Sequence, residues 1–157
     1  MTRSHCPLCK AVVEPEVLNE INGEEGRLAV SVYGMPVLHC SNGHRFFSHP
    51  DFPLVLLDWL DQSGKKLPVS ATKGTLIKKH VCTECGELLS EPDDQRHSFR
   101  LPVDLPETSP FEIELTMPVH RCPRCRKEQM HSMKEVRNHA PAALAHAFKS
   151  AQITAGR

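Results

Sequence analysis

No apolar run in this sequence is long enough to span a bilayer, and the residues after Met1, Thr2-Arg3-Ser4-His5-Cys6, offer no apolar signal core. We therefore expect a cytoplasmic chain with reduced thiols. Aromatic residues are scarce at 5%, and the net charge is zero, so the strong basic footprint of a dedicated nucleic-acid binder is missing. Seven cysteines cannot all pair as internal disulfides, and in a reducing compartment Cys-x-x-Cys pairs more often bind metal or do catalysis. Thirteen prolines and eight glycines favour short strands and loops over long helices.

What is present is one phrase written twice. Met35-Pro36-Val37-Leu38-His39-Cys40-Ser41-Asn42-Gly43-His44 returns as Met117-Pro118-Val119-His120-Arg121-Cys122-Pro123-Arg124-Cys125. A Cys-x-x-Cys pair precedes each copy: Cys6 and Cys9, then Cys82 and Cys85. An internal repeat of this kind implies successive copies of a small unit. Each copy is too short to be held comfortably by an apolar core alone, so the cysteines are the expected staples. The fold class expected is a small metal-stapled α+β protein of two tandem zinc-ribbon-like β-hairpin units, each followed by a short helix.

Between the ligand pairs, each copy carries a hairpin signal. Leu28, Val30 and Val32 alternate with Ala29, Ser31 and Tyr33 after the turn-like Asn22-Gly23-Glu24-Glu25-Gly26. Phe111, Ile113, Leu115 and Met117 alternate likewise after Pro106 to Pro110, while Pro102 and Pro106 push the outgoing strand towards a sheet edge. With the two Met-Pro-Val phrases aligned, the apolar phase of the returning strand is opposite in the two copies. A bulge, or burial of both faces in the first copy, would account for it.

The boundaries expected are a first unit at 1–63 with a helix at about 51–62, a basic linker at 64–79, and a second unit at 80–157 with a helix at about 141–152. In the first helix Asp51 is the expected N-cap. Phe52, Val55, Leu56, Trp59 and Leu60 follow a helical stripe that either packs between the hairpins or meets a partner. Asn138 and Pro141 open the second helix, in which Leu144, Ala147, Phe148 and Ala151 share a face. Lys65, Lys66, Lys73, Lys78 and Lys79 make the linker basic without an acid, a composition usual for a solvated run.

Two Cys-x-x-Cys-type pairs per unit suit a closed tetrahedral zinc. The expected sites are Cys6, Cys9, Cys40 and His44, then Cys82, Cys85, Cys122 and Cys125: two structural zinc ions that use every cysteine. His5, His39, His49, His80 and His120 are expected to be solvated or to support the ligands. RING-like cross-bracing is disfavoured by the long step from His44 to Cys82, and a thiol–disulfide role by the lack of a βαβ context. Rubredoxin-type iron also uses two such pairs, but the histidine and the few aromatics favour zinc. Asp93, Asp94, His97 and Asp104 form a loose group in the second hairpin, expected to serve turn and surface.

Residues 80–130, with Cys82-x-x-Cys85-Gly86, a strand, Met117-Pro118-Val119 and Cys122-Pro123-Arg124-Cys125, resemble the zinc-binding domain of the bacterial YgiT/MqsA-type antitoxin family. Residues 4–48 are similar more loosely, with His44 in place of the family's fourth cysteine. The resemblance implies a structural zinc and a surface that contacts another protein. That family's DNA-binding helix-turn-helix has no counterpart in these residues.

With the cysteines committed to metal, no catalytic set can be assembled, so the chain is expected to be non-enzymatic. It is expected to be a protein-interaction adaptor or small regulatory subunit in a bacterial-type cytoplasmic complex. The alternative is a nucleic-acid-binding ribbon using Arg121, Arg124, Arg126, Lys127, Lys134 and Arg137. Charge supports the second unit for that role: residues 1–61 carry four basic and eight acidic side chains, and residues 62–157 fifteen and eleven.

Overall fold

The computed structural model describes residues 4–90 and 96–154; Asp93 and Asp94 lie outside them. Among these residues it is a mixed α+β protein, mostly strands with two helices. The first hairpin pairs β1 (Val13–Glu25) with β2 (Leu28–Cys40) from Val13↔Cys40 to Glu25↔Leu28. The second pairs β6 (Arg96–Val103) with β7 (Phe111–Arg121).

The turn of the first hairpin is tighter than Asn22–Gly26: only Gly26 and Arg27 lie outside the strands. Gly26 takes φ 59°, the left-handed conformation that such short turns require. Gly23 is instead a strand residue.

Between Val32 and Met35 the buried positions of β2 step by three residues, and between Leu18 and Ile21 those of β1 do the same. Register nevertheless holds, with Leu18 opposite Met35 and Glu20 opposite Tyr33. The switch falls at Gly34, whose φ of 74° interrupts the pleat. The opposite apolar phase of the two copies is thus produced by one left-handed glycine with no residue inserted.

The two copies do not pack as separate units. β2 pairs with β7 antiparallel over Ala29–Tyr33 against Glu112–Thr116, which joins the hairpins edge to edge. The resulting sheet runs β6-β7-β2-β3-β9, with β3 (Arg45–Phe46), β9 (Ile153–Thr154), β1 on β2, and β8 (Glu128–Met130) on β7. β6, with Pro102, lies at the end of this order, where the missing N–H costs least. Val30, Val32, Ile113 and Leu115 are essentially inaccessible and belong to one core shared by both copies.

Two helices complete that core. α1 (Phe52–Gly64) buries Phe52, Leu56 and Leu60, so these three are core residues and not a free partner face; Val55 and Trp59 keep some exposure. Phe52 stacks on Phe47 and Phe111 at ring separations of 5.6 and 6.1 Å, and Phe148 meets Phe47 edge-on at 4.9 Å. Asp51 precedes the helix but its side chain caps nothing.

α2 (Met133–Ser150) begins eight residues before the position predicted from Pro141. Its cap is Ser132, whose hydroxyl accepts the Lys134 N–H at 3.1 Å. Pro141 sits inside the helix and leaves the Arg137 carbonyl without its usual donor. Burial of Val136 and Ala140 before it and of Ala143, Leu144, Ala147 and Phe148 after it carries the helix through. The alanines let α2 lie so close to β1 that a Cβ at Gly23 would stand 2.0 Å from the Ala143 carbonyl oxygen.

Residues 64–79 are not a bare linker. They contain β4 (Ala71–Lys73), which with β5 (Lys79–Val81) forms a separate two-stranded sheet. Backbone bonds from Met130 to Pro68 and from Ser70 to Met130, at 2.8 and 2.9 Å, fasten its base to β8.

Candidate metal centres

The ligand residues sit on four turns built to one plan. The Cys6 N–H donates to the Ala11 carbonyl at 2.7 Å while the Lys10 N–H returns to the Cys6 carbonyl at 2.8 Å. The same pair of bonds closes Cys82–Glu87 and Cys122–Lys127. Each of these turns has a left-handed residue four places after its first cysteine: Lys10, Gly86 and Arg126, with φ of 66°, 77° and 66°. Amides inside the turns point at sulfur: Leu8 and Cys9 at Cys6 Sγ, Glu84 at Cys82 Sγ, and Cys125 at Cys122 Sγ, all at 3.4–3.5 Å.

The fourth turn is one residue shorter. Gly43, at φ 84°, donates to the Cys40 carbonyl, and Cys40 donates to the carbonyl of His44. His44 therefore emerges where β3 begins, and its imidazole spans the distance that a nearer cysteine covers elsewhere. Arg45 holds that strand by a two-pronged contact with Glu16 at 2.9 and 3.1 Å and a bond to the Ala151 carbonyl.

Cys6, Cys9, Cys40 and His44 converge, as do Cys82, Cys85, Cys122 and Cys125. Ligands at zinc-like bond lengths of about 2.3 Å for sulfur and 2.0–2.1 Å for nitrogen stand about 3.8 Å apart for two sulfurs and about 3.5 Å for a sulfur and a nitrogen on a tetrahedron. The observed separations are 3.8 Å for Cys9–Cys40, 3.5 and 3.4 Å from His44 Nδ1 to Cys6 and Cys40, and 3.5 and 3.4 Å for Cys82–Cys125 and Cys85–Cys122. Both donor sets fit a four-coordinate metal ion, which is consistent with two structural metals.

The thiols are prepared unequally. The Asn42 side-chain amide, 3.1 Å from Cys9 Sγ, lowers that thiol to about 6. Burial raises Cys82, but the Cys85 and Glu84 amides and Gln129 outweigh it and bring it down to about 6. The Lys127 amide lowers Cys125, yet burial and the neighbouring sulfurs prevail and push it up to about 12. The Cys125 amide lowers Cys122 as well, so the first cluster has one readily ionised thiol and the second has two, and a cation is needed to hold Cys6, Cys85 and Cys125 as thiolates.

Gln129 is fully buried behind the second cluster. Its amide donates to Cys82 Sγ at 3.2 Å, and its oxygen accepts the Thr83 N–H and hydroxyl at 2.9 and 3.0 Å. Nothing in the local sequence marks this residue, because its role depends on β8 lying beside the Cys82 turn. Gln129→Leu is expected to weaken metal binding at this cluster by roughly ten- to hundred-fold. A competitive chelator titration, with the first cluster as internal control, measures it.

The six basic residues do not form a free cationic face. Arg121 pairs with Glu128, Lys127 with Glu84 and Arg137 with Asp61. Among the described residues Arg124, Arg126 and Lys134 make no ion pair, and the first two flank Cys125 at an exposed turn. His97 pairs with Glu128, and His39 lies 3.6 Å from Glu16. His120 is 2% exposed and His80 is half-buried, and both gather with His131 into a third cluster.

No family model, no curated protein and no solved structure matches this chain. Among the described residues no helix is long and apolar enough to cross a membrane.

Proposed function

We propose that this protein is a non-enzymatic adaptor or small regulatory subunit of a cytoplasmic complex, in which zinc at both cysteine clusters holds two zinc-ribbon-like hairpins for contact with another protein. Four protein ligands per ion leave no position for substrate, which supports a structural role for both zincs. The observation that carries the reading is the tip of the β4–β5 hairpin. Leu76 is 98% exposed and Ile77 76%, side by side and flanked by Lys73, Lys78 and Lys79. Adjacent apolar side chains held out at a hairpin tip with a basic rim suit an apolar pocket on an acidic partner. The likeness of residues 80–130 to an antitoxin zinc domain agrees with such a role.

The protein purified from its own cells is expected to retain a protein partner that Leu76→Asp with Ile77→Asp releases while both zincs stay bound. Native mass spectrometry reads partner and metal in one spectrum. A chain that purifies alone, and is monomeric, overturns the reading.

A second reading rests on Arg124 and Arg126, which make no ion pair among the described residues and lie at the exposed turn of the second cluster. It requires salt-sensitive binding to DNA or RNA that Arg124→Ala with Arg126→Ala weakens. Absence of binding at low salt removes it.

A further inference from the structure

We propose that His80, His120 and His131 form a third metal site, whose ligands among the described residues are all imidazoles, which takes an exchangeable first-row divalent cation such as zinc. The three residues come from β5, from β7 and from the turn after β8, and one ligand-capable atom from each lies within 4.8 Å of the other two. Imidazole nitrogens suit zinc, cobalt, nickel and copper, and do not suit magnesium or calcium.

The distances are close to those of a coordinated ion. His120 Nε2 and His131 Nδ1 are 2.9 Å apart. Two nitrogens on one tetrahedral zinc stand about 3.3 Å apart, so entry of an ion requires this pair to open by only about 0.4 Å. The rings of His80 and His131 have centroids 3.9 Å apart, and that of His120 lies 5.3 and 5.1 Å from theirs, so small rotations turn a stack into a converging set.

The surroundings choose the tautomers. His120 Nδ1 faces the Ser90 carbonyl, which can only accept, so Nδ1 carries the proton and Nε2 the lone pair. Ser70 donates its hydroxyl hydrogen to the His131 carbonyl at 3.3 Å and so accepts from His80 Nδ1 at 2.8 Å, which puts that ring's lone pair on Nε2. An N–H given to a carbonyl or hydroxyl while the other nitrogen binds the ion is the arrangement that orients metal-bound histidines. Without metal, His131 Nδ1–H donates to His120 Nε2; with metal, the His131 proton moves to Nε2 and Nδ1 becomes a ligand. No proton is lost from the set.

Three neutral imidazoles, the ligands found among the described residues, bind more weakly than four ligands rich in thiolate. Occupancy of this site therefore follows the availability of the metal, whereas the cysteine clusters stay filled. The mechanical consequence falls on the β4–β5 hairpin. His80 lies on β5, while His120 and His131 belong to the main body, so an ion here fastens the hairpin to the second cluster's hairpin. The inference stands apart from the adaptor reading, since a third ion is counted whether or not a partner is found.

The test uses the full chain with two zinc ions bound, titrated with cobalt(II). We expect native mass spectrometry to register a third ion, with visible d–d bands of tetrahedral cobalt and no thiolate-to-cobalt charge transfer, and amide exchange across residues 71–81 to slow. His80→Gln and His131→Gln are partly exposed positions chosen in preference to buried His120. Each should lose the third ion, keep both zincs and keep the far-ultraviolet spectrum. Ser70→Ala should weaken the third ion about tenfold and leave the zincs in place. The proposal is overturned if the native chain saturates at two ions, or if a third binds with charge-transfer bands or equally well to both histidine variants.

Discussion

Cys122→Ser is expected to empty the second metal cluster and to lower the melting temperature of the whole chain in a single transition. The thiol is fully buried at the end of β7, and a serine hydroxyl does not ionise to replace it. Structural zinc sites contribute about 10–16 kcal/mol of apparent binding energy at neutral pH, as much as the entire stability of an ordinary domain, about 5–15 kcal/mol. Loss at one cluster is felt across the chain because β7 is also the strand that pairs with β2, and because Ile113 and Leu115 pack in the same core as Val30 and Val32. Calorimetry with metal analysis distinguishes the outcomes. A variant that melts in two steps, one of them at the native temperature, would show the copies to be independent.

Gly23→Val should cost about 3 kcal/mol or more, although Gly23 looks in sequence like a replaceable turn residue. Its Cβ would lie 2.0 Å from the Ala143 carbonyl oxygen and 2.5 Å from the Ala147 nitrogen, both backbone atoms of α2 that cannot rotate aside. Overpacking in a core ordinarily costs about 1–3 kcal/mol, and here the obstacle is a helix backbone. Gly86→Ala is the control. It meets nothing within 4 Å and pays only for its φ of 77°, about 1–2 kcal/mol. Urea unfolding of the two variants side by side measures the difference, and equal losses would mean that α2 does not press on β1 as described.

Where the fold departs from the sequence pattern, particular residues are responsible. Pro141 suits a helix start, yet Ser132-Met133-Lys134-Glu135 has the form of a capping box, and that local signal is where α2 begins. Asn22-Gly23 looked like the turn because turns favour those residues, but the glycine serves the approach of a helix 120 residues later in the chain. The stripe Phe52, Leu56 and Leu60 was legible as apolar, and periodicity alone does not say whether such a stripe faces its own core or a partner. Lys10 and Arg126 adopt the left-handed conformation that Gly86 adopts in the matching turn, so glycine there is a preference and not a marker.

Spacing along the chain determined the two cysteine clusters, because ligand pairs lie within turns of four to six residues and metal ligation requires side chains that can be recognised by type. It also determined the two hairpins, since alternation of apolar residues is a local property. Tertiary structure alone decided that the copies share one sheet and one core, that α2 passes through Pro141, that Gln129 supports Cys82, and that His80, His120 and His131 meet. Each of these depends on which segments lie side by side after folding. That arrangement follows from the summed burial of residues far apart in sequence, and no single stretch of the chain carries it.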